Sequence, residues 1–279
     1  MHYIRVDSVP AAVDALLEPG SQLIAGGTDL LVKIRGSLVA PDTLVDISDI
    51  EELRGIHLNE DAIEIGAATP EEIIRDHRDL GSTLPFLVTV LAQLGSVQIR
   101  NRGTLGGNLV NASPAADGAI PLLLYDAELV LVGPTGERTL PLSEFFVGPG
   151  KTALGTAELV KSIRVPRPGA GLRSFFHKVG KRRALTISIA SVGVLLDMDG
   201  TRIRAARFAA GSVAPTPLRL VDLETELAGA TLGEATIEAA AEKAAASISP
   251  ISDIRASGDY RREVVADLVA RALTEAASS

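Results

Sequence analysis

Residues 23–31 read LIAGGTDLL, and residues 102–117 read RGTLGGNLVNASPAAD. Both set adjacent glycines among side chains that form hydrogen bonds. In the first stretch an apolar strand runs into Gly26 and Gly27 after Ala25, and Thr28 or Asp29 can cap a helix that begins at Leu30. Glycine permits positive φ and lets successive amide N–H groups converge on one point. Such a nest beside a helix N-terminus suits a phosphate group, although a plain strand-to-helix turn has the same composition. In the second stretch Gly103, Gly106 and Gly107 remove side-chain bulk, while Thr104, Asn108, Asn111 and Ser113 offer hydroxyl and amide groups. Asp117 adds an acceptor suited to a ribose hydroxyl or a ring N–H. An Ala/Gly bend between packed helices accounts for the small residues. It does not account for four polar side chains spaced among Leu105, Leu109 and Val110. A long ligand with phosphates, a sugar and flat rings accounts for both. If Gly107 has positive φ, a branched residue there costs about 1–2 kcal/mol in backbone strain.

Other chemistries find little support. The dinucleotide fingerprint G-x-G-x-x-G is missing from the first loop. FVGPGKT, residues 146–152, ends like a Walker A loop, but Phe145 stands where that pattern needs glycine. With no Cys, the chain has no disulfide, no thiol nucleophile and no thiolate to ligate an iron–sulfur cluster. The four histidines, His2, His57, His77 and His177, are scattered without metal-ligand spacing, so no metal site is expected. No residue is singled out as a general base or covalent nucleophile. A net charge of −8 argues against nucleic-acid binding. No apolar run is long enough to span a membrane, the first residues lack a signal-peptide core, and a cytoplasmic location is expected.

The elements that must position these loops follow from periodicity and turn residues. Short helices are expected at Ala11–Leu17, Asp29–Arg35, Glu71–Arg75 and Phe86–Leu94. Strands are expected at Leu23–Ala25, Thr43–Ile47, Ala62–Ala68, Glu128–Val132 and Glu158–Val165. RPGAG, residues 167–171, reads as a linker. Beyond it, Ile187–Leu196 and Arg202–Ala209 flank DMDG as an antiparallel hairpin. Helices are expected at Pro217–Ala228, Ala235–Ala246 and Tyr260–Ala276, the last carrying Val264, Val265, Leu268, Val269 and Leu273 on one face. With 279 residues, two domains are expected, at 1–170 and 171–279.

Together the two glycine loops resemble the FAD-binding medium subunit of the molybdenum hydroxylases, the xanthine dehydrogenase and carbon monoxide dehydrogenase family. AGGTDLL is similar to that family's first flavin loop, and IRNRGTLGGNLVNASPAAD to its second. LVDISDIEELRGI, ELVKSIRVP, FFHKVGKRR and GDYRREVVADLVARAL extend the resemblance over nearly the whole chain. It implies an α+β fold: a PCMH (vanillyl-alcohol-oxidase-type) FAD-binding domain of two α/β subdomains, then a smaller C-terminal domain of antiparallel sheet and helices. It implies that Ala25, Gly26, Gly27, Thr28 and Asp29 wrap the FAD pyrophosphate. Thr104, Leu105, Gly106, Gly107 and Asn108 would form a second clamp, with Asn111 and Asp117 further along the cofactor. Val160 and Lys178 would approach the flavin ring. Phe176 stands where many relatives have Tyr, so no phenolic hydrogen bond at the ring carries over. The resemblance implies an oxidoreductase that passes electrons from [2Fe–2S] clusters on a small subunit, through FAD, to NAD⁺, a quinone or oxygen. The molybdenum-pterin cofactor would belong to a large subunit. The alternative is a standalone FAD-dependent oxidase or dehydrogenase, for which His177 is the obvious acid–base candidate.

Overall fold

The computed structural model describes residues 1–181 and 187–278. The chain divides into two compact units, and the division does not follow the chain order. Met1–Gly81, Ser96–Asn111 and Asp126–Arg167 form the first; Ser82–Gly95, Ala112–Tyr125 and Pro168–Ser279 form the second.

In the first unit, strands β1 (His2–Arg5), β2 (Ser21–Ile24) and β3 (Thr43–Asp46) make a parallel sheet with β3 in the middle. Helix α1 (Val9–Leu16) connects β1 to β2, and α2 (Leu30–Arg35) connects β2 to β3. Parallel neighbours require such crossovers. Val9, Ala12 and Val13 of α1 are buried with Val45, Ile47, Ile50 and Leu53. The unit's second sheet is antiparallel, in the order β4 (Ile56–Leu58), β5 (Ala62–Gly66), β10 (Leu159–Pro166), β6 (Glu128–Gly133) and β7 (Gly136–Pro141). Strand β6 alternates as a half-buried strand should, with Leu129 and Leu131 fully buried, while β7 is mostly exposed. Helices α3 (Glu71–Arg75), α6 (Val97–Arg100) and α7 (Leu105–Val110) also belong here. So do α9 (Leu142–Phe145) and the hairpin of β8 (Phe146–Gly148) and β9 (Lys151–Thr152). That hairpin is the FVGPGKT segment; Gly150 turns it at φ 67°, and no helix follows the lysine.

The second unit is a four-stranded antiparallel sheet, β11 (Arg173–Val179), β12 (Ala190–Asp199), β13 (Arg202–Gly211) and β14 (Leu218–Arg219), in chain order. Ala190, Val192, Val194 and Leu196 face a core shared with α10 (Val221–Leu227), α11 (Glu234–Ala246) and α12 (Gly258–Ala277). On the other face lie α5 (Pro85–Ala92) and α8 (Ala119–Leu124); between α3 and α5, α4 (Leu80–Thr83) carries the chain out of the first unit. The packing there is close. A Cβ on Gly193 would stand 2.3 Å from Ile120 Cγ2.

Several expectations need correction. Pro217–Ala228 is not one helix: Leu218–Arg219 pairs with β13, and the helix starts at Val221. The hairpin strand begins at Ala190 rather than Ile187 and runs on into DMDG as far as Asp199, so that the turn falls at Gly200 (φ 58°) before Arg202. Part of the FFHKVGKRR segment, at 182–183, lies outside the described residues. Among the described residues no helix is long and apolar enough to cross a membrane.

Candidate functional site

The first glycine loop closes β2 and opens α2. Asp29 holds the N-cap position but makes no side-chain capping bond, and Thr28 does not cap either. Gly27 takes φ 74°, the left-handed region that favours glycine. The amides of Ala25, Gly26, Gly27, Thr28 and Asp29 donate to no protein acceptor among the described residues. Five consecutive uncommitted N–H groups make this loop an open donor set.

The second glycine stretch is not the loop its composition suggests. Leu105–Val110 is α7, with Thr104 at its N-cap accepting from Gly107 N at 3.1 Å. Gly107 is therefore helical rather than positive in φ, and a Cβ there would meet only the Thr104 hydroxyl, at 2.9 Å. The amides of this stretch are already engaged: Leu105 N with Thr69 O, Gly106 N with Ala67 O, and Asn108 N with Thr104 O. Gly106 is required by packing, since a Cβ would come within 2.6 Å of the Ala67 backbone carbonyl and side chain. Thr104 N, by contrast, is uncommitted among the described residues.

The two stretches touch. A Cβ on Gly26 would lie 1.9 Å from the Arg102 carbonyl oxygen, so only glycine lets the loops come this close. Where they meet, the surface is hollow. A cleft of about 470 Å³ is lined by Ala25, Gly26, Ser48, Asp49 and Arg102 with Arg5. A smaller one of about 110 Å³ shares the first five of these and adds Arg54, Asn101 and Thr104. The larger volume is in the range of small-molecule sites. Arg102 has no carboxylate partner among the described residues. Arg5 and Arg54, in contrast, are both paired with Asp49. A lone guanidinium beside uncommitted amides offers the hollow donors suited to an anion, although Asp46 and Asp49 also line it. Arg102 lay inside the quoted motif, and Ser48 and Arg54 inside LVDISDIEELRGI, but nothing local marked them as site residues.

Beneath the join lies Glu71, the first residue of α3, 2% exposed. Its amide donates to Gly103 O at 2.9 Å. Burial pushes its carboxyl up to about 8; Arg100 and a hydrogen bond with Asn108 pull the other way, and Asp29 adds to the rise. Nothing in TPEEIIRD distinguishes this residue from the solvated face of a helix.

The other residues singled out from sequence fall as follows. Asn111 caps the end of α7 and accepts from Lys33 Nζ. Val160 is buried on β10 beside an irregularity in its pairing with β6. Asp117 and Lys178 belong to the second unit, where Lys178 Nζ meets Asp117 Oδ2 at 3.0 Å and Gln93 O at 2.6 Å. Ser188 Oγ donates to Asp117 Oδ1 at 2.8 Å. Alternation along β11 turns His177 to the opposite face, where Nε2 lies 3.2 Å from a Glu275 carboxylate oxygen.

An α+β fold whose first unit holds an anion-directed glycine cradle defines a nucleotide-cofactor protein. The chain belongs to the FAD-binding subunits of the molybdenum hydroxylases, and is thus the flavoprotein component of an oxidoreductase. Residues 1–168 match the FAD binding domain in molybdopterin dehydrogenase, and residues 175–276 the CO dehydrogenase flavoprotein C-terminal domain. The chain is 34% identical to the carbon monoxide dehydrogenase medium chain of Hydrogenophaga pseudoflava, over 98% of this chain and 96% of that one. It is 32% identical to a xanthine dehydrogenase FAD-binding subunit of Escherichia coli O157:H7, over 99% and 96%. The solved carbon monoxide dehydrogenase of H. pseudoflava superimposes with a TM-score of 0.95 at 34% identity, covering 98% of this chain and 96% of that one. The expected fold, a PCMH-type FAD-binding domain with an α+β C-terminal domain, is the fold found.

Proposed function

We propose that this chain holds FAD as the electron-transferring subunit of a multi-subunit molybdenum-dependent hydroxylase or dehydrogenase. The observation that carries the reading is the row of uncommitted amides from Ala25 to Asp29, beside a hollow where only glycine at position 26 lets the two stretches meet. In this reading those amides and Thr104 N bind the pyrophosphate, and Arg102 offsets its charge. Gly106 seats α7 against Ala67, so that Leu105, Gly107 and Asn108 form a fixed wall. Asn111, restrained by Lys33, borders that wall, and Val160 enters on family resemblance alone. The protein's part is binding, orientation and electrostatics. When bound, FAD supplies redox chemistry, taking electrons from [2Fe–2S] clusters on a small partner subunit and delivering them to NAD⁺, a quinone or oxygen.

The molybdenum-pterin cofactor would belong to a large partner subunit. Support comes from relatives described as medium chains or FAD-binding subunits, among them the H. pseudoflava carbon monoxide dehydrogenase medium chain. We keep the division into domains 1–170 and 171–279 as part of this proposal. A standalone oxidase would need an acid or base free to act, and His177 Nε2 is instead buried, 3.2 Å from Glu275 without a hydrogen-bond partner. The test is to purify the chain with its native partners and measure FAD, molybdenum and iron. One FAD per chain, with molybdenum and iron on co-purifying subunits, is expected. Substrate-driven turnover by the chain alone would establish the standalone enzyme instead.

A further inference from the structure

The larger cleft runs from the first glycine loop onto a face of the parallel sheet that is only partly covered. Side chains alternate between the two faces of a strand. Val45 of β3 is buried with Val9, Ala12 and Val13 of α1. Leu44 and Asp46 therefore point to the other face, level with Tyr3 and Arg5 of β1, and Ile24 of β2 stands across from Asp46. Parallel sheets are ordinarily covered on both faces. Here α2 contributes Leu31 to one flank of the cleft, and Tyr3 on the opposite flank stays 57% exposed.

That ring is held in place. Its hydroxyl donates to Asp46 Oδ2, Arg5 Nε donates to the same oxygen at 3.3 Å, and Ser48 N donates to Asp46 Oδ1 at 2.9 Å. Arg5 Nη1 lies 2.9 Å from Asp49. An exposed aromatic ring fixed at its tip, beside a floor of buried Leu44, is a platform for another flat ring. Hydrogen bonding selects which one. The Tyr3 hydroxyl and Arg5 are already committed to carboxylates, whereas the Asp49 side chain is 56% exposed. A ligand at this end must bring its own donors, as the amino group and ribose hydroxyls of adenosine do. The isoalloxazine ring presents chiefly acceptors. Charge sorts the ligand the same way. Arg5 and Arg54 balance Asp46 and Asp49, which suits a neutral base and sugar, while Arg102 at the loop end suits phosphate.

We propose that this cleft is an adenosine subsite, in which adenine stacks on Tyr3 and Asp49 accepts hydrogen bonds from the nucleoside. Asp46 is a positioning residue that sets the ring through its hydroxyl. The inference rests on the first-loop amides holding the FAD pyrophosphate. Ala25 and Gly26 belong both to that loop and to the lining of the cleft, so one half of the cofactor enters it.

The experiment measures binding of FAD, FMN and ADP to the full chain freed of flavin, by flavin fluorescence and by titration calorimetry for ADP. ADP is expected to displace FAD from the wild type. Tyr3→Leu should weaken FAD and ADP about tenfold each, as loss of one stacked base requires, and leave FMN unchanged. Tyr3→Phe keeps the ring and should restore most of the ADP affinity. The chain has three tyrosines and no Trp, so ADP should also quench tyrosine emission in the wild type and lose that effect in Tyr3→Leu. ADP that fails to displace FAD from the wild type, ADP affinity unchanged by Tyr3→Leu, or FMN weakened as much as FAD would each overturn the adenosine subsite alone. A loss confined to the two flavins would place the flavin ring in the cleft and overturn it likewise. A wild-type chain that binds neither FAD nor FMN would overturn the cofactor reading as well.

Discussion

Gly26→Ala is the sharpest test of the cradle. The new methyl would begin 1.9 Å from the Arg102 carbonyl oxygen, whereas such contacts are essentially never found below 3.0 Å. The loops must part by more than an ångström. Neither side yields easily. The second stretch is pinned by Glu71 N to Gly103 O at 2.9 Å, by Gly103 N to Ile99 O, and by Gly106 N to Ala67 O at 3.0 Å. Overpacking against a backbone that cannot relax costs about 1–3 kcal/mol, and the pinning places this site at the upper end. At roughly 2–4 °C per kcal/mol, the melting temperature should fall by about 6–12 °C. FAD affinity should fall at least tenfold, about 1.4 kcal/mol, because the amides and the Arg102 side no longer converge. Gly107→Ala is the control. Its methyl would meet only the Thr104 hydroxyl, which can turn away. Loss of that cap costs about 1 kcal/mol, and Ala in a helix regains about as much over Gly. Its melting temperature should barely move. If Gly26→Ala melts and binds FAD like the wild type, the closeness of the two loops does not shape the site.

The remaining expectations concern single side chains. Arg102→Ala should leave the melting temperature within about a degree, being exposed and unpaired. It should weaken FAD binding several-fold and flatten its dependence on salt; unchanged affinity would remove Arg102 from the site. Asp117→Ala strands Lys178 with only the Gln93 carbonyl. Breaking a buried pair in this way costs about 3–5 kcal/mol, to be read by urea denaturation. A loss under 1 kcal/mol would show the pair to be solvated. His177, lowered from its ordinary 6.5 chiefly by burial, resists protonation in the folded state. Stability should therefore fall as pH drops below about 6.5 and level off once pH is below the lowered folded value. His177→Gln should lack that step in a melting series from pH 5 to 8.

Much of this was legible from local pattern. Glu71–Arg75 has the bounds expected, and the C-terminal helix buries Val264, Val265, Leu268, Val269 and Leu273 as their spacing requires. Gly26 and Gly27 mark a real constraint. Helix α7 was not legible, because Gly-Gly-Asn opposes helix by intrinsic propensity. Tertiary contact overrides it: Thr104 caps the turn, and Gly106 fits where Ala67 leaves no room for a side chain. Nor could the interleaving of the units be read. Phe86, Leu87, Val90 and Leu91, like Ala119–Leu124, are buried. Such segments show that they enter a core without showing which core. Glu71 escaped for a related reason: its burial is imposed by Gly103, 32 residues away, and nothing in its neighbours announces it.

The hydrogen-bond pattern also separates the two glycine stretches in a way their compositions do not. In α7 the amides from Leu105 to Asn108 all have protein acceptors, so this element is complete without a ligand and has little to gain from one. The loop from Ala25 to Asp29 has uncommitted donors and must find acceptors in water or in a cofactor. Ordering on cofactor binding should therefore concentrate in the first loop, with α7 as the fixed surface against which it closes. Glycine serves two ends accordingly. At position 27 it supplies a backbone angle, and at 26 and 106 it supplies room for another segment's backbone. Only the first of these is a property of the chain itself; the other two exist because Arg102 and Ala67 are there.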